Sequence, residues 1–364
     1  MTETPDDEKI ELASRKAQHV KLVVDQETGV EKATNGFELF EVVPRSIPDV
    51  SYHDISLKAE FLDHTFDAPV LVAGMTGGYP EAQKINTSLA RVCSKLNIPM
   101  GVGSQRTMVV DPSMTSTYDV KQEVEDVFLI GNLGLVQFSL DFGKEEFLAS
   151  LEGINADAMA LHVNAFQELC QPEGDIDFSN AWEELEKICK YSPVPVIGKE
   201  VGSGIAWEEV KRMQEVGCSA VDIGGAGGTS WAKIELMRHE GDELPFELDD
   251  PTLNWGIPTS FATWEATEKT FVPLISTGGI YHGLQAAKAL AMGTSMVGVA
   301  RPVLQALVNH GESAAEKWLR HYIETIKRVM FLMGVDSIDQ LKNQKSRLIP
   351  RGRAREWLLR RGLL

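Results

Sequence analysis

Cysteine is scarce. Cys93, Cys170, Cys189 and Cys218 are the four in 364 residues, and no two form a C-x-x-C pair. That spacing excludes a zinc ribbon or an iron–sulfur run, and thiols this scattered point to a reducing compartment, the cytoplasm by default. Basic charge is scarce as well. Lys and Arg number 35 against 53 Asp and Glu, a formal net charge of −18, so there is no broad cationic surface to release counterions from a nucleic acid. No run approaches the roughly 18 uninterrupted apolar residues of a membrane span. The opening MTETPDDEKIE has no apolar centre of the kind a secretory signal carries. What remains is an ordinary globular composition, 43 % hydrophobic and 24 % charged, which excludes wholesale disorder and collagen-like repeats. In so acidic a chain, an anionic ligand has to meet cations that are placed locally.

From Pro69 onward one pattern repeats eight times: a short apolar run, a glycine-rich or polar end, then a helical stretch. The runs are PVLVAGMTGG (69–78), PMGVGSQR (99–106), VFLIGNLG (127–134), AMALHVN (158–164), PVIGKEVG (195–202), AVDIGGAGG (220–228), PLISTGGI (273–280) and MVGVARP (296–302). Apolar runs without alternation read as strands covered on both faces. Between them lie helical segments such as 206–217, with Val210, Met213 and Val216 at helical spacing and Gly217 at the end. The expected fold class is therefore α/β, a (β/α)8 TIM barrel with an N-terminal arm and a C-terminal helical extension. The expected division is a disordered acidic arm (1–14), an N-terminal lid/strand segment (15–68), the barrel (69–334) and a C-terminal extension (335–364). About 45 residues separate the sixth and seventh runs, which reads as an inserted loop at the catalytic face.

In such a barrel, function sits at the C-terminal strand ends, and here those ends are the polar ones. Ser276-Thr277-Gly278-Gly279 and Gly298-Val299-Ala300-Arg301 end the last two runs, where barrels commonly bind phosphate with backbone N–H groups and a helix N-terminus. Gly224 to Ser230 would extend that cradle, with Thr229 and Ser230 as hydroxyl donors. Lys199, in a barrel mouth, is costly to bury without an anionic partner. It could face the electron-rich edge of a flavin, form a Schiff base, or pair with Glu200. Thr76, Ser104 and Asn132 on neighbouring strand ends, able to hydrogen-bond flavin heteroatoms, favour the first. His162, Asn164, Gln167 and Glu168 form a polar pocket with one hard-cation ligand, Glu168, suited to Mg²⁺ bridged by substrate phosphates. Arg15, Lys16 and Arg106 are candidate anion clamps.

RKAQH, GMTGG, GSQR, NLG, HVNAFQE, KEVGSGI, GGAGGTSWAKIE, NWGIPT and GGI, in this order over residues 14–310, resemble type 2 isopentenyl-diphosphate Δ-isomerase. The resemblance implies an FMN-dependent barrel that interconverts isopentenyl and dimethylallyl diphosphate in isoprenoid biosynthesis. It implies Mg²⁺, flavin reduced by NAD(P)H, and a homotetramer or homo-octamer. Carried over by motif, Gly74, Met75 and Thr76 would contact the flavin ring with Ser104, Asn132 and Lys199. Thr229, Gly278, Gly279, Ala300 and Arg301 would hold the ribityl phosphate. The substrate would meet Arg15, Lys16, Ser104, Gln105, Arg106, His162 and Asn164. Gln167 would line its hydrocarbon end and Glu168 would ligate Mg²⁺. Lys199, Gln167 and His162 are the catalytic candidates, with the flavin itself expected to be the acid–base agent. The sequence departs from the family at Ala165-Phe166, where Pro-Leu is usual, and follows it loosely after residue 340.

Two other readings use the same barrel. An FMN-dependent oxidoreductase of the 2-hydroxy-acid oxidase type needs a histidine base and paired arginines. His282 is a candidate base, but no arginine accompanies it. A non-catalytic flavin- or phosphate-binding barrel leaves RKAQH and NAFQE unexplained.

Overall fold

The computed structural model describes residues 5–26, 28–29, 34–239 and 246–364, with side chains from residue 13 onward. Three short strands precede the barrel: β1 (Phe40–Val42), β2 (Ala59–Phe61) and β3 (His64–Phe66). The barrel strands are β4 (Val70–Val72), β5 (Met100–Gly101), β6 (Leu129–Gly134) and β7 (Ala158–Val163). They continue with β8 (Val196–Glu200), β9 (Ala220–Asp222), β10 (Leu274–Ser276) and β11 (Met296–Val299). Each lies inside one of the eight apolar runs. All are parallel, each pairs with the next, and β11 pairs with β4 to close the ring.

Every residue of β4, β5, β6, β9, β10 and β11 is buried, as expected of strands with a packed interior on one side and helices on the other. Val210 and Met213 of the helix Trp207–Glu215 supply part of that outer layer, as their spacing implies. Burial lapses only at the C-terminal tips of β7 and β8, where His162, Val163 and Lys199 are half-buried. The register sets Gly134, His162, Lys199 and Asp222 side by side across β6, β7, β8 and β9, so one layer of the barrel mouth carries three polar side chains.

Outside the barrel the expected divisions change. One helix, Pro5–Asp25, runs through the expected arm–lid boundary at residue 14, so from Pro5 on the arm is helical; residues 1–4 lie outside the described ones. The sequence Pro-Asp-Asp-Glu has the fixed φ and the negative charge that a helix N-terminus favours. The C-terminal extension is built into the fold. Its strand β12 (Leu348–Pro350) pairs antiparallel with β1, and Trp357 and Arg361 donate to Glu265, a fully buried carboxylate on the barrel wall. An unpaired charge there would be costly, so the basic tail supplies the counter-charge. The β2–β3 hairpin closes the opposite end of the barrel, where His64 and Phe66 pack against Phe128, just ahead of β6.

The long β9–β10 connection contains the helix Trp231–Arg238 and returns so that Pro258 pairs with Ala226 at the tip of β9. Residues 240–245 of the expected insertion are outside the described ones.

Candidate active site

A cavity of about 1580 Å³, counting the solvent at its mouth, lies over the C-terminal strand ends. It is lined from all eight strand ends, by residues of β6, β7, β8 and β11 and by those just beyond β4, β5, β9 and β10, and the helix Pro5–Asp25 adds Arg15, Lys16, His19, Val20 and Val23.

Lys199 lies on the floor. Its Nζ is 2.9 Å from Asp222 Oδ2 and donates to Glu200 O at 3.0 Å. The acidic partner is thus Asp222, not Glu200. The Glu200 carboxylate turns the other way and accepts from the N–H groups of Gly202, Ser203 and Gly204, at 2.5, 2.5 and 3.0 Å. Burial still pushes the Glu200 carboxyl up to about 7.

On one side the last two strand ends form a glycine cradle. Thr229, Thr277, Gly278, Gly279, Ala300 and Arg301 face the cavity. The helix Arg301–His310 opens there on Ala300, with no side-chain cap, which leaves a helix N-terminus for an anion. Gly278 has φ +108°, and a Cβ on it would lie 2.1 Å from Gly225 O. Replacing it with alanine therefore costs about 1–3 kcal/mol in backbone conformation alone. The Gly278→Ala variant is expected to bind FMN at least tenfold more weakly, measured by flavin fluorescence. Ser230 is not part of the cradle: its Oγ accepts from Lys233 N and caps the next helix.

On the other side stand the cations, each preheld by a carboxylate or carbonyl. Arg106 donates to Asp175 at 2.7 Å, Arg15 lies 3.7 Å from Glu173, and Lys16 donates to Ser104 O at 3.2 Å. Burial, with Arg15 and Arg106 close by, lowers the Lys16 ammonium to about 7. Unliganded protein should thus lose this charge as pH rises through 7. A bound diphosphate favours the charged form, so binding at pH 8 is expected to take up close to one proton. Calorimetry in buffers of different ionisation enthalpy reads this, and Lys16→Met should abolish the uptake.

His162 Nδ1 lies 2.9 Å from Asn132 Oδ1, and the Asn132 amide is itself committed to Val102 O. Burial, then Lys16 and Lys199, depress the ring to about 3. A neutral imidazole is a hydrogen-bonding group here, neither a cation for phosphate nor a proton source near neutrality. Glu168 faces the cavity and is held from three directions: Asn164 donates at 2.6 Å, Asp175 N at 3.0 Å, and the Gln171 amide also donates. Burial raises its carboxyl. Asn164 Oδ1 and Gln171 Oε1 are buried without a partner among the described residues, and both residues line the same cavity. A carboxylate with two idle amide oxygens suits a hard divalent cation whose other ligands come from phosphate and water.

Gly74, Met75, Ser104, Asn132, Asn164 and Gln167 also line the cavity, as expected. Two expected residues do not. The Thr76 hydroxyl donates to Tyr79 Oη at 3.3 Å, inside the wall. Gln105 is fully buried; it donates to Ser150 O at 2.7 Å and accepts from Asn132 N at 2.8 Å, so it ties the β5 loop to β6. His282 is an N-cap that accepts from Gln285 N and stays outside the cavity lining, which removes the base required by the hydroxy-acid reading.

Three residues that sequence reasoning passed over hold this site together. Asp222 pairs with Lys199. Glu235, fully buried, accepts from Gln167 at 2.7 Å and Arg238 at 2.9 Å and lies 3.1 Å from His19. Burial opposes its charge, but His19, Arg238 and Gln167 hold the carboxyl well below its usual range. Trp231 walls the cavity and meets His19 edge-on.

The fold and the motifs have counterparts in known proteins. The family model for FMN-dependent dehydrogenases matches residues 9–123 and 155–348. An isopentenyl-diphosphate delta-isomerase of Thermococcus kodakarensis is 41 % identical over 354 residues, 95 % of this chain and 94 % of the relative. Its namesake from Methanothermobacter thermautotrophicus is 39 % identical over 352 residues, 96 % of this chain and 97 % of the relative. Among solved structures, (S)-mandelate dehydrogenase superposes with a TM-score of 0.66 at 17 % identity, over 95 % of this chain and 98 % of that one, a likeness of fold alone. With this much of its length shared, the chain belongs to the FMN-dependent dehydrogenase family and, within it, to the isopentenyl-diphosphate delta-isomerases.

Proposed function

We propose that the protein interconverts isopentenyl and dimethylallyl diphosphate, with FMN in its reduced state, Mg²⁺, and NAD(P)H as the source of reducing equivalents. One observation carries this reading. A single cavity holds a phosphate cradle with a lysine floor on one side, and a separate set of anion-binding cations beside a lone carboxylate on the other. A barrel that bound only flavin has no use for the second set.

The cradle at Thr229, Gly278, Gly279 and Ala300 would take the FMN phosphate, with Lys199 beneath the ring. Bound there, reduced FMN supplies an electron-rich face and proton exchange beside an alkene that no side chain here is acidic enough to protonate. Arg15, Lys16 and Arg106 would grip the substrate diphosphate, with Glu168 and the amide oxygens of Asn164 and Gln171 holding the Mg²⁺ it carries. This grip, remote from the reacting carbons, positions the five-carbon chain. Val20 and Val23 of the N-terminal helix add apolar cover, which limits water at the site. Moving a double bond gains a proton at one carbon and loses one at another, with no net oxidation.

Cytoplasmic location and assembly into a homotetramer or homo-octamer belong to the same proposal. The exposed Trp255 and Ile176, each 66 % accessible, are apolar surface of the kind an oligomer covers. Among the described residues no helix is long and apolar enough to cross a membrane.

The test is anaerobic incubation of the protein with FMN, Mg²⁺, dithionite and isopentenyl diphosphate. The dimethylallyl isomer is the expected product, and 5-deaza-FMN in place of FMN should abolish its formation. FMN uptake without isomer under these conditions overturns the reading.

A further inference from the structure

We infer that Asp222 is a positioning residue that aims the Lys199 ammonium at the flavin site, and that Thr277 in turn fixes Asp222. The inference rests on the flavin reading of the cavity.

Lys199 and Asp222 are register partners on β8 and β9, and their side chains meet at 2.9 Å. Asp222 is 3 % exposed and lies outside the lining of this cavity, so it acts on the site through the groups it holds, Lys199 on one oxygen and Thr277 and Gly224 on the other. Its other oxygen, Oδ1, accepts from the Thr277 hydroxyl and from Gly224 N at 3.3 Å. Thr277 Oγ1 also accepts from Gly224 N, at 3.1 Å, which closes a three-membered network. The network joins the tips of β8, β9 and β10 at the barrel throat.

A lysine has three N–H donors and a flexible stem. Two donors of Lys199 are committed, to Asp222 and to Glu200 O, and both partners are buried. That fixes the head group and leaves one donor for whatever occupies the cavity. Without Asp222 the ammonium is free to swing towards the solvated mouth. The charged groups around Lys199 are Asp222 itself, the buried Glu200 carboxyl, which feels the Lys199 charge but is turned to the N–H groups of Gly202, Ser203 and Gly204, and, within electrostatic reach of the neighbouring His162, Lys16. Since His162 is neutral, Asp222 is the one fixed counter-charge in the barrel layer that holds Lys199.

The test uses oxidised FMN-loaded protein and sulfite. Sulfite adds to N5 of oxidised flavin and leaves a negative charge on the ring, so its affinity reports how well a cation is held against that ring. If Asp222 aims Lys199, Asp222→Ala weakens sulfite binding at least tenfold, although it removes a negative charge. Asp222→Asn keeps an acceptor in place and should restore affinity to at least the wild-type value. Thr277→Val, the milder change, should weaken it about threefold. Tighter or unchanged sulfite binding in Asp222→Ala makes Asp222 a counter-charge only and overturns the inference. If the alanine variant fails to fold, wild-type affinity in Thr277→Val overturns it equally. A wild-type chain that takes up no FMN overturns the flavin reading beneath it as well.

Discussion

Replacing Lys199 with methionine is expected to lower kcat/KM for isopentenyl diphosphate by about a thousandfold, as loss of a preorganised charge at a water-poor site does. The same change should cost about 3 kcal/mol of stability, because it leaves Asp222 buried without its counter-ion. Two effects in one variant are hard to interpret, but the ion pair lets them be separated. In Lys199→Met/Asp222→Asn the orphaned charge is gone and Thr277 still has an acceptor at residue 222. The double variant should therefore regain most of the lost stability in thermal melts while kcat/KM stays low. Recovery of both would mean that Lys199 matters for folding alone. The low end of the range for broken buried pairs is the right one here, since the Lys199 side chain is 14 % exposed to the cavity.

The barrel was legible because its strands are buried on both faces: unbroken apolar runs with polar ends are visible without alignment, even where, as at β5, the ladder is only two residues long. The mouth was legible to the extent that side-chain direction follows strand alternation. That rule accounts for Gln105, which points into the wall while Ser104 and Arg106 on either side face the cavity. It lapses beyond the end of β4, where Gly74 and Met75 both line the cavity and Thr76 is held in the wall by its contact with Tyr79. Asp222 could have been found by cost: an acidic residue inside an apolar strand needs a partner, and the lysine on the preceding strand is the nearest candidate. Glu235 gave no such signal. It stands in WAKIELMR, where Ile234, Glu235 and Leu236 are all buried and no amphipathic stripe marks one face as interior. The helical arm was hidden because a short acidic sequence looks disordered until its continuation, through Val20 and Val23, is seen to pack over the barrel mouth.

Glu168→Gln is expected to raise the Mg²⁺ concentration for half-maximal rate about 100-fold, the loss of roughly 3 kcal/mol of metal contact. The amide is isosteric, yet it cannot reproduce the carboxylate's surroundings. Both Glu168 oxygens accept, from Asn164, Gln171 and Asp175 N, and all three are donors. A glutamine presents one NH₂ to that ring, so a donor faces donors and about 1–3 kcal/mol of stability goes with it. The pH dependence supplies a second signature. Burial raises the Glu168 carboxyl, and only its ionised form binds the metal well. Wild-type Mg²⁺ affinity should thus fall on acidification sooner than for an ordinary surface carboxylate, and the glutamine variant should lose this acid limb. FMN affinity should not change, because the cradle at Gly278 and Ala300 belongs to other strand ends. A Mg²⁺ titration at fixed isopentenyl diphosphate, repeated across pH, measures both effects. Identical curves for the two proteins would move the metal away from Glu168.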